Sequence, residues 1–526
     1  MPDTEIELKL AVRPEDLPRL RSAKALGPAN GKAAPKALES TYFDTPDLRL
    51  AAAGLSLRVR KVGRSFIQTL KSAPEGGTAA LVRGEWEGPV PGPTPDLSAL
   101  PEAAPREALA GLVEAGLKPV FTSDVKRTLR VTSVGASQVE LALDVGEIRT
   151  PEGATLPVSE LELELKSGTD PVALYDLALA LHGEVPMRLE TRTKSARGYA
   201  LAAGTGPTWA KAGKLEISPA DTVEQALAAI VRHCLGHMLA NEAVALAGEQ
   251  PEGIHQMRVA LRRLRSAFSL FKGLIPADQA ATLGPEVKWL ADSFGPARDW
   301  DVFLESLLAP VEEAFPADPG LSALRQAALR CRHEGYEEAK AAIQSPRYTT
   351  LLLKLGAWVD GRGWRDQPVS EGSARLLQPI LDLSGSLLDK RHKQGRKRGR
   401  HFARLDPEAR HQLRIALKKL RYAAEFFRGL YDPKPVKRYL EDLAGLQEAL
   451  GHLQDVATVE KLVGQVRDRL GAEAPLGWEQ GAGLVMGWHG RGLRDQEPAI
   501  VRDWEAFADT KPFWKGPKDK DFDPVI

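Results

Sequence analysis

Carboxylates at two-residue spacing are the most chemically suggestive feature of the first two hundred residues. In Glu5-x-Glu7-x-Lys9 and Glu160-x-Glu162-x-Glu164 an extended backbone puts the charged side chains on one face, with Ile6, Leu8, Leu10 and Leu161, Leu163, Leu165 on the other. Like charges aligned on a sheet repel, so these rows need cations close by. The same alternation supplies them: Arg58, Arg60, Lys71, Arg127, Arg130 and Lys194 are candidates, and Glu85, Glu87, Glu140 and Asp144 add further carboxylates. A half-buried strand with a solvated outer face explains any one such segment, but six segments share the pattern. If they close into a barrel with the charged faces inward, the cations face a polyanion and the carboxylates a divalent metal. Ligands that are all oxygen suit Mg²⁺ or Mn²⁺ better than zinc. A cargo both anionic and metal-bound fits a nucleotide or an inorganic polyphosphate, and the reaction class is metal-assisted phosphoryl transfer. Glu85, Glu140 and Lys166 fit interior salt bridges equally well.

The second half carries a different charge pattern. His255-x-x-Arg258-x-x-x-Arg262-x-x-Arg265 matches His411-x-x-Arg414-x-x-x-Lys418-x-x-Arg421 at an offset of 156 residues, and Gly295 to Asp299 matches Gly451 to Asp455 in the same register, with Gln454 in place of Arg298. On a helix the four basic positions of each copy fall within an arc of about 80°. Neither stripe contains an acidic residue to form the i, i+4 pairs of ordinary surface helices, so an anion is the expected partner. The run from Lys390 to His401 adds positive charge just before the second stripe. Cations around His255 and His411 argue against metal there and for hydrogen bonds to phosphate. His233 and His237 sit among Cys234, Leu235 and Met238 and read as packing, as do Trp289, Trp300, Trp478 and Trp488.

The elements that must position these residues divide the chain. Its 526 residues exceed what one core usually organises, while 71 Lys+Arg against 70 Asp+Glu exclude a uniformly basic or acidic protein. Short period-two segments broken by Gly and Pro run to about residue 203, and helical periodicity dominates from about 219. We therefore expect a β module over 1–203, a linker over 204–218, a helical domain over 219–508 with copies at about 219–365 and 375–508, and a tail over 509–526. Two cysteines without a CxxC spacing, no signal-like start and no long apolar run predict a cytoplasmic protein without a membrane partner. Basic stripes alone would bind nucleic acid without sequence preference.

Glu5-x-Glu7-x-Lys9, Tyr42-Phe43-Asp44-Thr45-Pro46, Leu57-Arg58-Val59-Arg60, Glu160-x-Glu162-x-Glu164 and Thr193-Lys194-Ser195-Ala196-Arg197-Gly198-Tyr199 together resemble a CYTH domain, the triphosphate tunnel metalloenzyme family. The duplicated basic stripes resemble a CHAD domain. The resemblance implies an α+β multidomain protein: an eight-stranded antiparallel tunnel followed by all-α duplicated helical bundles. It implies metal ligands at Glu5 and Glu7, with Asp144, Glu160, Glu162 and Glu164 as further candidates, and Lys9 against the triphosphate. Arg58, Arg60, Lys71, Arg127 and Lys194 would grip the phosphates. It further implies inorganic polyphosphate binding by the basic helices. The expected activity is hydrolysis of inorganic triphosphate. Adenylate cyclase, thiamine triphosphatase and a non-catalytic polyphosphate-binding protein are the alternatives.

Overall fold

The computed structural model describes residues 3–27, 34–73, 77–101, 103–105, 109, 116–168 and 170–515. Most of the predicted tail, 516–526, lies outside them. The chain divides into two compact units, 1–208 with 344–363 and 209–343 with 364–526.

In the first unit, strands β1 (Asp3–Ala11), β2 (Lys36–Asp44), β3 (Leu55–Val62), β4 (Ser65–Ser72), β5 (Ala80–Val90), β6 (Lys118–Val134), β7 (Ser137–Arg149) and β8 (Thr155–Ser167) form an antiparallel sheet in the order β5-β4-β3-β2-β6-β7-β8-β1. Pairing of β1 with β5, with Glu5 opposite Arg83, closes it into a tunnel, and a two-residue strand β9 (Arg188–Leu189) adds to β1. Register fixes which face is inside. Lys9 lies opposite Glu162, Glu160 opposite Asp144, Asp144 opposite Arg127, and Arg58 opposite Tyr42 and Thr69, so one continuous face of every strand lines the lumen. The apolar face points outward and is nevertheless buried, with Leu8, Leu10, Leu141, Leu161 and Leu163 at most 2% exposed. Helix α1 (Val172–Glu184), with Leu174, Ala178 and Leu181 fully buried, packs on β8 and β1. The tunnel thus inverts the usual half-buried strand: charge inside, hydrocarbon outside beneath a helix.

Helix α2 (Lys194–Ala203) starts where the Thr193 hydroxyl accepts the Ala196 N–H at 3.1 Å. A Cβ on Gly198 would lie 2.2 Å from the Phe121 ring of β6, so only glycine lets α2 seat this closely. That seating turns Lys194 into the lumen and brings Arg197 onto Glu160. Asp44 of the Tyr42–Pro46 motif is fully buried and accepts the backbone N–H groups of Thr45, Leu50 and Ala51, a structural role at the end of β2. The helix Pro346–Asp360 also belongs to this unit: Asp360 accepts the Tyr175 hydroxyl of α1 at 2.5 Å, and that oxygen accepts the Ala80 N–H at 3.0 Å.

The second unit is helical. Its longer helices are α3 (Val223–Ala240), α4 (Pro251–Leu270), α5 (Ala277–Ser293), α6 (Gly295–Val302), α7 (Pro319–Gln344), α8 (Ile380–Arg398), α9 (Pro407–Phe427), α10 (Pro433–Leu470) and α11 (Trp478–Asp509). Pro251 and Pro407 open α4 and α9, and Ala277 and Pro433 open α5 and α10, each pair at the sequence offset of 156. The copies diverge at Phe294. Pro296 lacks the N–H that a continuing helix needs and sits in the first turn of α6, whereas its counterpart His452 lets α10 run on for 38 residues. The copies share a core, in which Trp300, Phe303, Leu307 and Leu324 of the first meet Val459, Leu462, Val466 and Val485 of the second. No helix among the described residues is long and apolar enough to cross a membrane.

Candidate functional sites

The inner lumen is a narrow cavity of about 60 Å³ opening into a mouth of about 630 Å³, and Glu5, Arg58, Arg60, Lys71, Arg127 and Glu164 line both. Its carboxylates are tied to cations. Glu5 takes Lys71 and Arg83, each at 2.8 Å; Glu7 takes Lys9 at 2.8 Å and Arg83 at 2.5 Å. Glu162 takes Lys9 and Arg127 at 2.5 Å and Lys194 at 2.9 Å. Arg127 also forms a bidentate pair with Asp144 at 2.7 and 2.6 Å. Glu160 takes Lys194 and Arg197. Burial alone would raise the pKa of Glu5, Asp144, Glu160 and Glu162, but the facing cations win. Lys71 and Arg83 hold Glu5 at about 2, Lys194 and Lys9 hold Glu162 well below its ordinary range, and Asp144 and Glu160 are lowered as well. Glu164, near Lys166 rather than the inner cations, is raised by burial.

The opposite wall carries unneutralised charge. Arg60 donates to the Ser40 hydroxyl at 3.1 Å and makes no ion pair among the described residues; Arg58 reaches Glu85 only at 3.9 Å. Repulsion from Arg58, together with burial, lowers Arg60 to about 10. Burial would raise the Tyr42 phenol between them, yet the two guanidiniums hold it below its usual value. The lumen is therefore polarised, with fixed positive charge on β3 across from a carboxylate cluster on β7 and β8.

Among the described residues, Asp144, Glu160 and Glu162 bring carboxylate oxygens within 4.8 Å of one another. Three buried oxygen donors suit a hard divalent cation, which would have to displace the Lys194 ammonium that touches all three. Glu5, Glu7 and Glu164 line the same lumen but lie outside that cluster. The tunnel brings together Lys9, Arg58, Arg60, Lys71, Arg127 and Lys194. Arg130 does not join them: three residues beyond Arg127, it has the opposite strand parity, and its guanidinium donates to the Gly27 carbonyl. Sequence reasoning missed Arg83 and Arg197. The signal for Arg83 was present, since two-residue spacing puts it on the face of Glu85.

In the helical unit α4 packs against α9, and the charges of Arg258 and Arg262 act directly on Lys418. Burial, then Arg414 and Arg262, lower the Lys418 ammonium to about 7. The Nε atoms of Arg258, Arg262 and Arg414 are buried without an acceptor, although Arg258 donates through Nη1 to the Ala291 carbonyl at 3.0 Å. Burial and the cations Arg298, Arg262 and Arg258 lower His255 to about 4, leaving it neutral at neutral pH. His411 donates through Nδ1 to Gln454 at 2.5 Å, the residue that replaces Arg298 in this copy. Asp299 and Asp455, themselves 156 apart, face these cations with their pKa values raised by burial. The stripes are thus not wholly without carboxylates; the acids come from neighbouring helices. The outer ends differ from the centre: Arg265 is exposed and Arg421 is held by Glu425 at 2.8 Å. His237 bonds Gln256 at 3.1 Å in the packed interior, and Trp300 and Trp478 join the core, whereas Trp488 is 43% exposed beside Phe315.

Two family descriptions match the chain, a CYTH domain over residues 3–199 and a CHAD domain over 229–464. The chain is a CYTH domain followed by a CHAD domain. The chain is similar to an inorganic triphosphatase of Haemophilus influenzae, 33% identical over 202 residues, which are 38% of this chain and 54% of that protein. The chain thus spans about half the length of that curated relative. An uncharacterized protein of Mycobacterium tuberculosis is 28% identical over 431 residues, 74% of this chain and 75% of the relative. The CHAD domain of the plant Ricinus communis is 31% identical, with a TM-score of 0.49, over 57% of this chain and 98% of that one.

Proposed function

We propose that the CYTH tunnel hydrolyses inorganic triphosphate, that the seam between α4 and α9 binds inorganic polyphosphate, and that the protein works in the cytoplasm, where two free cysteines are at home. The observation that carries the first reading is the polarised lumen, in which Arg58 and Arg60 lack close counter-ions while facing a carboxylate cluster. A phosphate chain needs the first wall, and a metal-bound one needs the second. Arg58 and Arg60 bind phosphate oxygens, while Lys9, Arg127 and Lys194 hold the carboxylates in place and add positive charge around the chain. Asp144, Glu160 and Glu162 would hold Mg²⁺ or Mn²⁺, which when bound supplies Lewis-acid polarisation of phosphoryl oxygens. Similarity to a triphosphatase supports the substrate class.

For the seam, Arg258, Arg262 and Arg414 present buried N–H groups without acceptors, the donor set a phosphate chain requires. The deciding experiment assays the full chain against triphosphate, ATP and thiamine triphosphate, each with Mg²⁺ and with Mn²⁺. Preference for triphosphate, abolished by chelation, is the expected result; cyclic AMP as the main product from ATP would replace the hydrolase reading with a cyclase.

A further inference from the structure

A second concentration of positive charge lies in the CHAD unit away from the seam. The exposed face of the C-terminal half of α8 and the segment 508–515 border an open concavity of about 680 Å³, within the size range of small-molecule sites. Lys393, Arg396, Lys397, Arg400, Lys511 and Lys515 line it, against a single carboxylate, Asp509. Among the described residues Arg396, Lys397, Arg400 and Lys511 make no ion pair, while Lys393 and Lys515 share Asp389 at 3.7 and 3.4 Å. A helix C-terminus attracts one or two cations; it does not gather six from two separate segments. The cavity also has a built floor. A Cβ on Gly399 would lie 2.0 Å from the Trp504 ring, so glycine lets α8 sit directly on that indole, which stacks on Phe402. The seam faces elsewhere: Gly395 meets Leu417 of α9, and none of Arg258, Arg262, Arg414 or Lys418 lines the cavity.

We propose that this cavity is a second anion site, distinct from the seam, for a compact ligand that carries several clustered phosphates on a small organic body. Cations converging from two sides of a concavity match a small multivalent anion better than an extended chain, which needs a line of charge. The body can be a nucleoside or a cyclitol, since the recognised chemistry is the phosphate cluster.

The test titrates the full chain calorimetrically with ATP, with myo-inositol hexakisphosphate and with long-chain polyphosphate. It compares the wild type, the exposed triple variant Arg396→Ala/Lys397→Ala/Arg400→Ala and the seam variant Arg258→Ala/Arg414→Ala. The triple variant should weaken at least one small probe by about tenfold or more while leaving long-chain polyphosphate within about threefold, and the seam variant should do the reverse. The probe that is lost identifies the body. The proposal is overturned if neither small probe binds the wild type, if the triple variant binds both normally, or if it weakens probes and chain equally, which would make α8 part of the seam. A lowered melting midpoint with unchanged affinities would also overturn it, by showing that these cations only stabilise the end of α8.

Discussion

The CYTH tunnel and the CHAD seam both concentrate charge in a partly dehydrated space, and they resolve the resulting strain in opposite ways. In the tunnel nearly every inward cation is locked to an inward carboxylate: Lys194 alone touches Asp144, Glu160 and Glu162. Among the described cations of the inner lumen, the β3 arginines stand apart. In the seam, like charges crowd one another, arginine N–H groups lack acceptors, and the two nearby aspartates hold their protons more tightly than usual. The tunnel's charges are largely answered within the fold, whereas the seam's Arg258, Arg262, Arg414 and Lys418 make no ion pair among the described residues. Removing one charge therefore means different things in the two places.

The largest contrast comes from single charge removals. Glu162→Gln would leave Lys9, Arg127 and Lys194 short of a buried partner; we expect about 3–5 kcal/mol of lost stability by denaturant unfolding, and at least about a hundredfold loss of triphosphate hydrolysis. Arg262→Met in the seam relieves Lys418, so the unliganded protein should be unchanged or up to about 1 kcal/mol more stable, while polyphosphate affinity and its salt dependence both fall. Destabilisation of similar size in both variants would erase the distinction.

Proton linkage sharpens it further. Lys418 is charged below about pH 7, so polyphosphate affinity should decline as pH rises through neutrality, and Lys418→Arg should flatten that decline. Because its folded pKa lies below the ordinary 10.5, the unfolded chain binds more protons between these values, and the contribution of Lys418 to unliganded stability should rise with pH from about 7 upward. Glu5 follows the same sign in a lower pH window. Held at about 2 against an ordinary 4.5, it contributes stability that is fully present above 4.5 and lost as pH falls through about 2. Glu5→Gln should remove that part of the acid transition, followed by circular dichroism. The smallest effect belongs to Arg421→Ala. Its charge is already answered by Glu425, so affinity should change by less than about twofold and stability by about 0.5 kcal/mol or less.

Alternation along the strands and the 156-residue repeat were enough to separate sheet from helix, to place Glu5, Glu7, Lys9, Arg58, Arg60, Glu160 and Glu162 on one face, and to align His255 with His411. Periodicity carries such information because side-chain direction is a local property of the backbone. Three things were not local. A period-two strand reads the same whether its charged face looks into water or into a lumen; closure of β1 on β5 decided that. Pairing across strands selected Asp144, Glu160 and Glu162 as the close cluster from a longer row of acids, and placed Arg83 between Glu5 and Glu7. In the helical half each stripe lacks acids in sequence, yet Glu425 neutralises Arg421 while Arg258, Arg262, Arg414 and Lys418 make no ion pair among the described residues at the packing of α4 against α9. Which cations remain available to a ligand depends on what other helices bring beside them, and only the packed chain sets those neighbours.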